Sequence, residues 1–426
     1  MTITRRELLE RGAKLAFGAT VSGALTGIAP AGSAAEDHPA KSFPTKFLWG
    51  AATAGHQVEG NNVNSDLWML EHLPHSMYKE PSGDACDHYH LYEQDINLLA
   101  DLGFNAYRFS IEWARIEPEK GYFSNAELNH YRRMLEACHR RNLTPLVTYS
   151  HFTVPRWFAL QGAWETPESV DLFARYCEKV TAHLGDLISY AATFNEPDIP
   201  QLLNWIKFPG PPPISVSELM ARQRPELRHQ LNAPRFSSFL ICEPQATRQN
   251  VMAAHTRAKA AIKSARGSLP VGLTIAMEDD QPVGTDSRVA EKQADVYGPW
   301  LKLAKQDDFV GVQTYTRQRV GREQLPPPQD AELTQMNYEF YPESLEHTVR
   351  YAAKETGVPI IVTENGVGTE DDTRRIEYIQ RALAGLKRCI DDGVDVRGYI
   401  HWSLLDNFEG TFGFMPKFGL VAVDHE

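Results

Sequence analysis

The chain is poor in several features that would have placed it in a broad class. Its 426 residues hold only five cysteines, Cys86, Cys138, Cys177, Cys242 and Cys389, with no Cys-x-x-Cys spacing, which excludes the usual zinc and dithiol redox motifs. The odd number leaves at least one thiol unpaired, and the five read mostly as small buried apolar residues. No run approaches the roughly 20 strongly apolar residues of a membrane span, so stable insertion into a bilayer is not expected. Positive charge is in deficit: 43 Lys and Arg against 55 Asp and Glu give a formal net charge of -12, which argues against nucleic acid and anionic membrane surfaces as partners. Internal repeats and low-complexity tracts, which would mark a second domain, are missing as well.

The N-terminus stands apart from the rest. Thr4-Arg5-Arg6-Glu7-Leu8-Leu9 precedes a mildly apolar stretch, Leu15 to Ala29, and then Ala31-Gly32-Ser33-Ala34-Ala35. This order reads as a twin-arginine-type signal peptide over 1–35, cleaved near Ala35, with the twin-arginine export machinery as partner and a periplasmic or secreted destination. Leu8 stands where such signals usually carry Phe, and Glu10 where Lys is common. An uncleaved anchor or a general-secretion signal are the other readings, and each also takes the chain out of the cytoplasm. Residues 36–426 are then the folded domain.

Within 36–426, eight runs rich in Val, Ile, Phe, Thr and Tyr recur: Phe47 to Thr53, Asn105 to Ile111, Pro145 to His151, Ala191 to Glu196, Val271 to Met277, Phe309 to Tyr315, Pro359 to Glu364 and Val396 to Leu404. Between them lie stretches with helical spacing: Tyr89 to Leu102, Asn125 to Arg141, Pro167 to Leu184, Ala246 to Arg266, Pro342 to Lys354 and Asp371 to Asp391. Strand and helix alternating eight times predict an α/β fold, a single (β/α)8 TIM barrel, whose working residues sit at the C-terminal ends of the strands. The longest irregular connection, Asp198 to Glu243 after the fourth strand, is expected to form a wall or lid over that end.

Two of the predicted strands end in a glutamate: Thr193-Phe194-Asn195-Glu196-Pro197 and Ile361-Val362-Thr363-Glu364-Asn365-Gly366. Either motif alone is better read as turn chemistry. Together, at one end of a barrel, they supply what glycoside hydrolysis needs: an acid for the leaving oxygen and a carboxylate for the positive charge developing at the anomeric carbon. That chemistry requires no metal and no organic cofactor.

Further motifs carry the reading from chemistry to a family. They are Phe47-Leu48-Trp49-Gly50-Ala51-Ala52-Thr53, Gln57-Val58-Glu59-Gly60, Ala85-Cys86-Asp87-His88-Tyr89 and Tyr107-Arg108-Phe109-Ser110-Ile111-Glu112-Trp113, followed by the two glutamate motifs and His401-Trp402-Ser403-Leu404-Leu405-Asp406-Asn407-Phe408-Glu409. In this order the chain resembles glycoside hydrolase family 1, the retaining β-glucosidase and β-galactosidase family, from Phe43 to Asp424. The resemblance implies that Glu364 is the nucleophile of a covalent glycosyl-enzyme and Glu196 the acid and then the base, their carboxyls about 5 to 5.5 Å apart. It implies that Arg108 and Tyr315 keep Glu364 ionised, that Gln57, His151, Asn195 and Glu409 bind the sugar in the cleaved position, and that Trp402 stacks on it. The substrate so implied is an oligosaccharide or an aryl or alkyl β-glycoside.

The chain departs from the family pattern in places. Gly410 follows Glu409 where the family usually has Trp, the strand-six motif reads Gln313-Thr314-Tyr315-Thr316 where Asn-Tyr-Tyr-Thr is common, and Phe152 follows His151 where Trp is frequent. The resemblance therefore implies a pocket more open on one side, with glucose, galactose, fucose or a larger glycone all eligible. Glu409 is kept where phosphosugar-cleaving relatives carry Ser, and Glu196 where plant thioglucosidases carry Gln, so a neutral glycone and an oxygen leaving group are expected. The same residues also fit a transglycosylase, which passes the glycosyl group to an alcohol, or a secreted sugar-binding barrel with weak or no turnover.

Overall fold

The computed structural model describes residues 43–208 and 213–425. The export-type segment expected over 1–35 lies outside the described residues. Eight strands close into one barrel: β1 (Leu48–Ala52), β2 (Ala106–Ser110), β3 (Thr144–Ser150), β4 (Tyr190–Asn195), β5 (Val271–Ala276), β6 (Phe309–Gln313), β7 (Ile360–Glu364) and β8 (Val396–Trp402). Each pairs in parallel with the next, and β8 pairs with β1. Every residue of β2, β5, β6 and β7 is buried, because one face fills the barrel and the other lies under helices; such strands read as continuous apolar runs.

The long helices are α1 (His88–Asp101), α2 (Asn125–Arg140), α3 (Ser169–Leu184), α4 (Pro244–Ala265), α5 (Ser344–Thr356) and α6 (Asp372–Asp391). In α2, Leu128, Tyr131, Leu135 and Cys138 are buried at three- and four-residue spacing, and Ser124 Oγ accepts from the Glu127 amide at its start. Asp371 caps α6 through the Thr373 amide. Each cap satisfies an amide that has no partner within the helix.

The connection from β4 to α4 is folded, with short helices at Ile199–Trp205, Val216–Ala221 and Arg224–Gln230. It packs on the barrel through Phe236 and Ile241, both buried, and through Phe239, whose ring lies 5.1 Å from that of Phe152. A second small sheet, made of Asp279–Pro282, Arg317–Val320 and Gln324–Leu325, extends the connections that follow β5 and β6.

Candidate active site

Strand register brings the expected residues to one rim. Ala52 of β1 is level with Trp402 of β8 on one side and Arg108 of β2 on the other; Asn195 ends β4 opposite Thr274 of β5, and Glu364 ends β7 opposite Gln313 of β6. Gly366 allows β7 to leave this rim closely, since a Cβ there would collide with the backbone oxygen of Trp402.

Glu364 is the best-held carboxylate. Its Oε1 lies 2.5 Å from Arg108 Nη1, and its Oε2 accepts a 2.5 Å hydrogen bond from the Tyr315 hydroxyl. Arg108 Nη2 donates to Asn195 Oδ1 at 2.5 Å, and the same oxygen accepts from Gln313 Nε2 at 3.1 Å and Thr274 Oγ1 at 3.2 Å. Three donors on Oδ1 fix the amide's orientation, and Asn195 Nδ2 is buried with no partner among the described residues.

Glu196 follows Asn195 with φ of 44°. That left-handed turn ends β4 one residue earlier than the apolar run suggests, and the Glu196 amide bonds the Thr274 carbonyl at 2.9 Å. Its carboxyl is raised well above the ordinary glutamate value, by burial first and then by the charge of Glu364, with Arg108 opposing. Burial also raises Glu364, but Arg108, Tyr315 and Gln313 pull it back. In a coupled pair so arranged, the shared proton resides on Glu196.

The remaining residues lie beside this pair. Trp402 donates its indole N–H to Glu409 Oε1 at 3.1 Å, and burial pushes the Glu409 carboxyl up to about 8. His151 stacks against Trp402 with ring centroids 5.8 Å apart and planes 21° from parallel; burial and Arg108 keep it neutral, and its Nδ1 has no partner among the described residues. Gln57 Nε2 donates to Asn407 Oδ1 and to the Phe408 carbonyl, both at 2.8 Å. Glu112 ties two pocket segments together: its carboxylate accepts from the His56 amide, Asn62 Nδ2 and Thr153 Oγ1, next to Gln57 and His151.

All the site residues expected from the motifs thus meet at one rim. Tyr315 does so from the loop two residues past β6, not from the strand itself. Beside Glu409, Gly410 borders open space, since a Cβ there would meet no atom within 4 Å. Gln313, Thr274 and Asp198 were not foreseen as site residues. Gln313 could have been found, because it occupies a motif position; Thr274 and Asp198 lie in stretches with no signature of their own.

Residues 39–302 and 300–426 match the model of glycosyl hydrolase family 1. The chain belongs to glycosyl hydrolase family 1. Relatives include Beta-glucosidase A of Acetivibrio thermocellus, 28% identical with 90% of this chain and 94% of that protein covered. A bifunctional beta-D-glucosidase/beta-D-fucosidase of Bifidobacterium breve is 30% identical at coverages of 90% and 94%. Among solved structures, beta-glycosidase BGL167 superposes with a TM-score of 0.85 at 50% identity over 90% of this chain and 92% of that one. The family 1 β-glucosidase from Thermotoga maritima gives 0.77 at 26% identity over 90% and 94%. The family 1 membership and the closed parallel barrel agree, and the chain is a glycosyl hydrolase.

Proposed function

We propose that this family 1 hydrolase is a retaining β-glycosidase that releases terminal O-linked β-D-glycosyl residues, glucosyl first among them, from an oligosaccharide or an aryl or alkyl glycoside. The observation that carries the reading is the unequal setting of its two glutamates. Glu364 has a guanidinium on one oxygen and a phenol on the other, whereas Glu196 is buried among carboxyls. One is thereby kept as a nucleophile and the other as an acid.

In the first step Glu364 attacks the anomeric carbon while Glu196 gives its proton to the departing oxygen. In the second, Glu196 takes a proton from water, which displaces Glu364 from the sugar and restores both groups. The fixed Asn195 amide has an N–H left to donate to the sugar's 2-oxygen, where hydrogen bonds strengthen in the transition state. Gln57, with both amide hydrogens engaged, offers its oxygen to a hydroxyl. Trp402 supplies an aromatic face and Glu409 a carboxyl for the remaining hydroxyls.

The test is a panel of nitrophenyl β-glycosides (gluco, galacto, fuco, manno and xylo) with the parent enzyme and Glu364→Ala in parallel. The parent should release nitrophenol, the variant should not, and azide should restore release from the variant with formation of a glycosyl azide of inverted configuration. Turnover by Glu364→Ala near the parental rate would remove the nucleophile assignment.

We also propose that residues 1–35 are a twin-arginine-type signal and that 36–426 are delivered folded to the periplasm or outside. Arg5-Arg6 and the small-residue segment ending at Ala35 support this, as does a described domain whose five cysteines are all free thiols, needing no oxidising compartment to fold. Replacing Arg5 and Arg6 by Lys should leave uncleaved precursor in the cytoplasm; unchanged export would overturn the assignment.

A further inference from the structure

Asp198 lies two residues beyond Glu196 and has no solvent exposure at all. It occupies the N-cap of the short helix Ile199–Trp205, the place where an Asp side chain ordinarily accepts from its own helix, yet it makes no such cap. Its Oδ1 instead accepts from the Ala276 amide, the last residue of β5, at 3.1 Å. Its Oδ2 is buried with no partner among the described residues. Two residues before it, Glu196 is a non-glycine residue in the left-handed region. Such a conformation is strained and persists only where its surroundings hold it.

We propose that Asp198 is a positioning residue for the acid–base glutamate: its carboxyl ties the strained turn carrying Glu196 to the end of β5. The turn then has two anchors on one strand, the Glu196 amide on the Thr274 carbonyl and the Asp198 carboxyl on the Ala276 amide. Strands β4 and β5 are paired through Asn195 and Thr274, so the anchors fix Glu196 relative to Asn195 and hence to the sugar.

The carboxyl works in its neutral form. The groups facing it are Glu196, Glu278 beyond β5, and Tyr297 before the helix Gly298–Ala304. None is a cation, and burial and Glu278 hold the proton on Asp198 well above the usual carboxylate range. An ionised group here would be a buried charge without a counter-charge, which a low-dielectric interior disfavours. A neutral carboxyl can keep the acceptor for Ala276 without adding a second negative charge beside the acid.

This rests on Glu196 being the acid, and the test separates the two. kcat/KM is measured for aryl and alkyl β-glycosides of graded leaving-group ability with the parent, Asp198→Leu, which keeps the γ-branched shape and removes the acceptor, and Asp198→Asn, which restores the acceptor. Cleavage by the parent, with kcat/KM falling for poor leaving groups in Glu196→Gln, checks the acid itself. Asp198→Leu should lose roughly 10²-fold on poor leaving groups, the cost of an acid displaced by about an ångström, and stay within about threefold on the dinitrophenyl glycoside, which needs no acid. Asp198→Asn should recover the loss and leave the alkaline limb of the pH profile in place. Should Asp198→Leu not fold, Asp198→Ala carries the same comparison. An equal loss on all leaving groups, no loss on any, or a lowered alkaline limb in Asp198→Asn would each overturn the proposal.

Discussion

Arg108 and Tyr315 hold different oxygens of Glu364 and differ in what their removal would do. Arg108 also anchors Asn195, so its loss would disturb both the proposed nucleophile and the proposed sugar contact. Tyr315 makes one contact to the carboxylate and stays protonated, because burial and the nearby carboxylates raise its phenol well above its ordinary value. Tyr315→Phe therefore removes a hydrogen bond to the ionised form and little else. The sign follows: without the donor the Glu364 carboxyl titrates higher, a nucleophile that must be ionised is lost sooner on acidification, and the acidic limb of kcat/KM moves to higher pH. At a pH below that limb the variant should be roughly tenfold slower than the parent, as expected for a hydrogen bond to a charge; a pH profile with an unmoved acidic limb would contradict this. At this scale the sequence was most legible where residue identity is demanded by chemistry. Glu364, Glu196 and Arg108 could be named because their motifs are specific. Asp198 could not, because a buried acid beyond a strand end is indistinguishable in sequence from an exposed helix cap.

At the scale of elements, the apolar runs located all eight strands, yet several ended early for local reasons. β4 stops at Asn195 because Glu196 takes a positive φ, and β6 stops at Gln313, short of Tyr315. Hydrophobicity does not report such turns: Tyr315 is as apolar as a strand residue while lying in the loop past β6. The periodicity of the helices was a safer guide, because their buried faces answer to a long shared interface; α6 spans Asp372–Asp391 where Asp371 to Asp391 was expected. Least legible was the stretch after β4, whose Pro-rich composition hid the short helices at Ile199–Trp205, Val216–Ala221 and Arg224–Gln230. What composition cannot show is the tertiary contact that pays for order there, such as Phe239 on Phe152. The Glu112 network teaches the same lesson, since its three donors come from two segments about 90 residues apart in the chain.

For the whole molecule, the buried acids set a direction for stability against pH. Asp66, fully buried, is raised to about 7, Glu409 to about 8, and Glu196 and Asp198 higher than the ordinary carboxyl range, in each case mainly by burial. A carboxyl with a raised folded value binds more proton in the folded chain than in the unfolded one, so the stability it contributes falls as pH rises toward that value. His56, raised despite burial because Glu71 faces it, acts in the same direction. His130 and His401, lowered to about 4 and about 3 by burial, act oppositely, but their contribution is complete once the pH exceeds the ordinary histidine value of roughly 6.5. From about pH 6.5 to 8 only the falling contributions remain among these groups. The thermal midpoint should therefore drop by a few degrees across that window, at about 1.4 kcal/mol per proton per pH unit spread over a large unfolding entropy. Asp66→Asn keeps the acceptor for the Val154 amide and removes one titrating group, so its midpoint should fall less steeply than the parent's. A midpoint that stays level or rises through this window, in calorimetric scans at constant ionic strength, would mean that these buried acids are ionised in the folded chain and would overturn this account of the pH dependence.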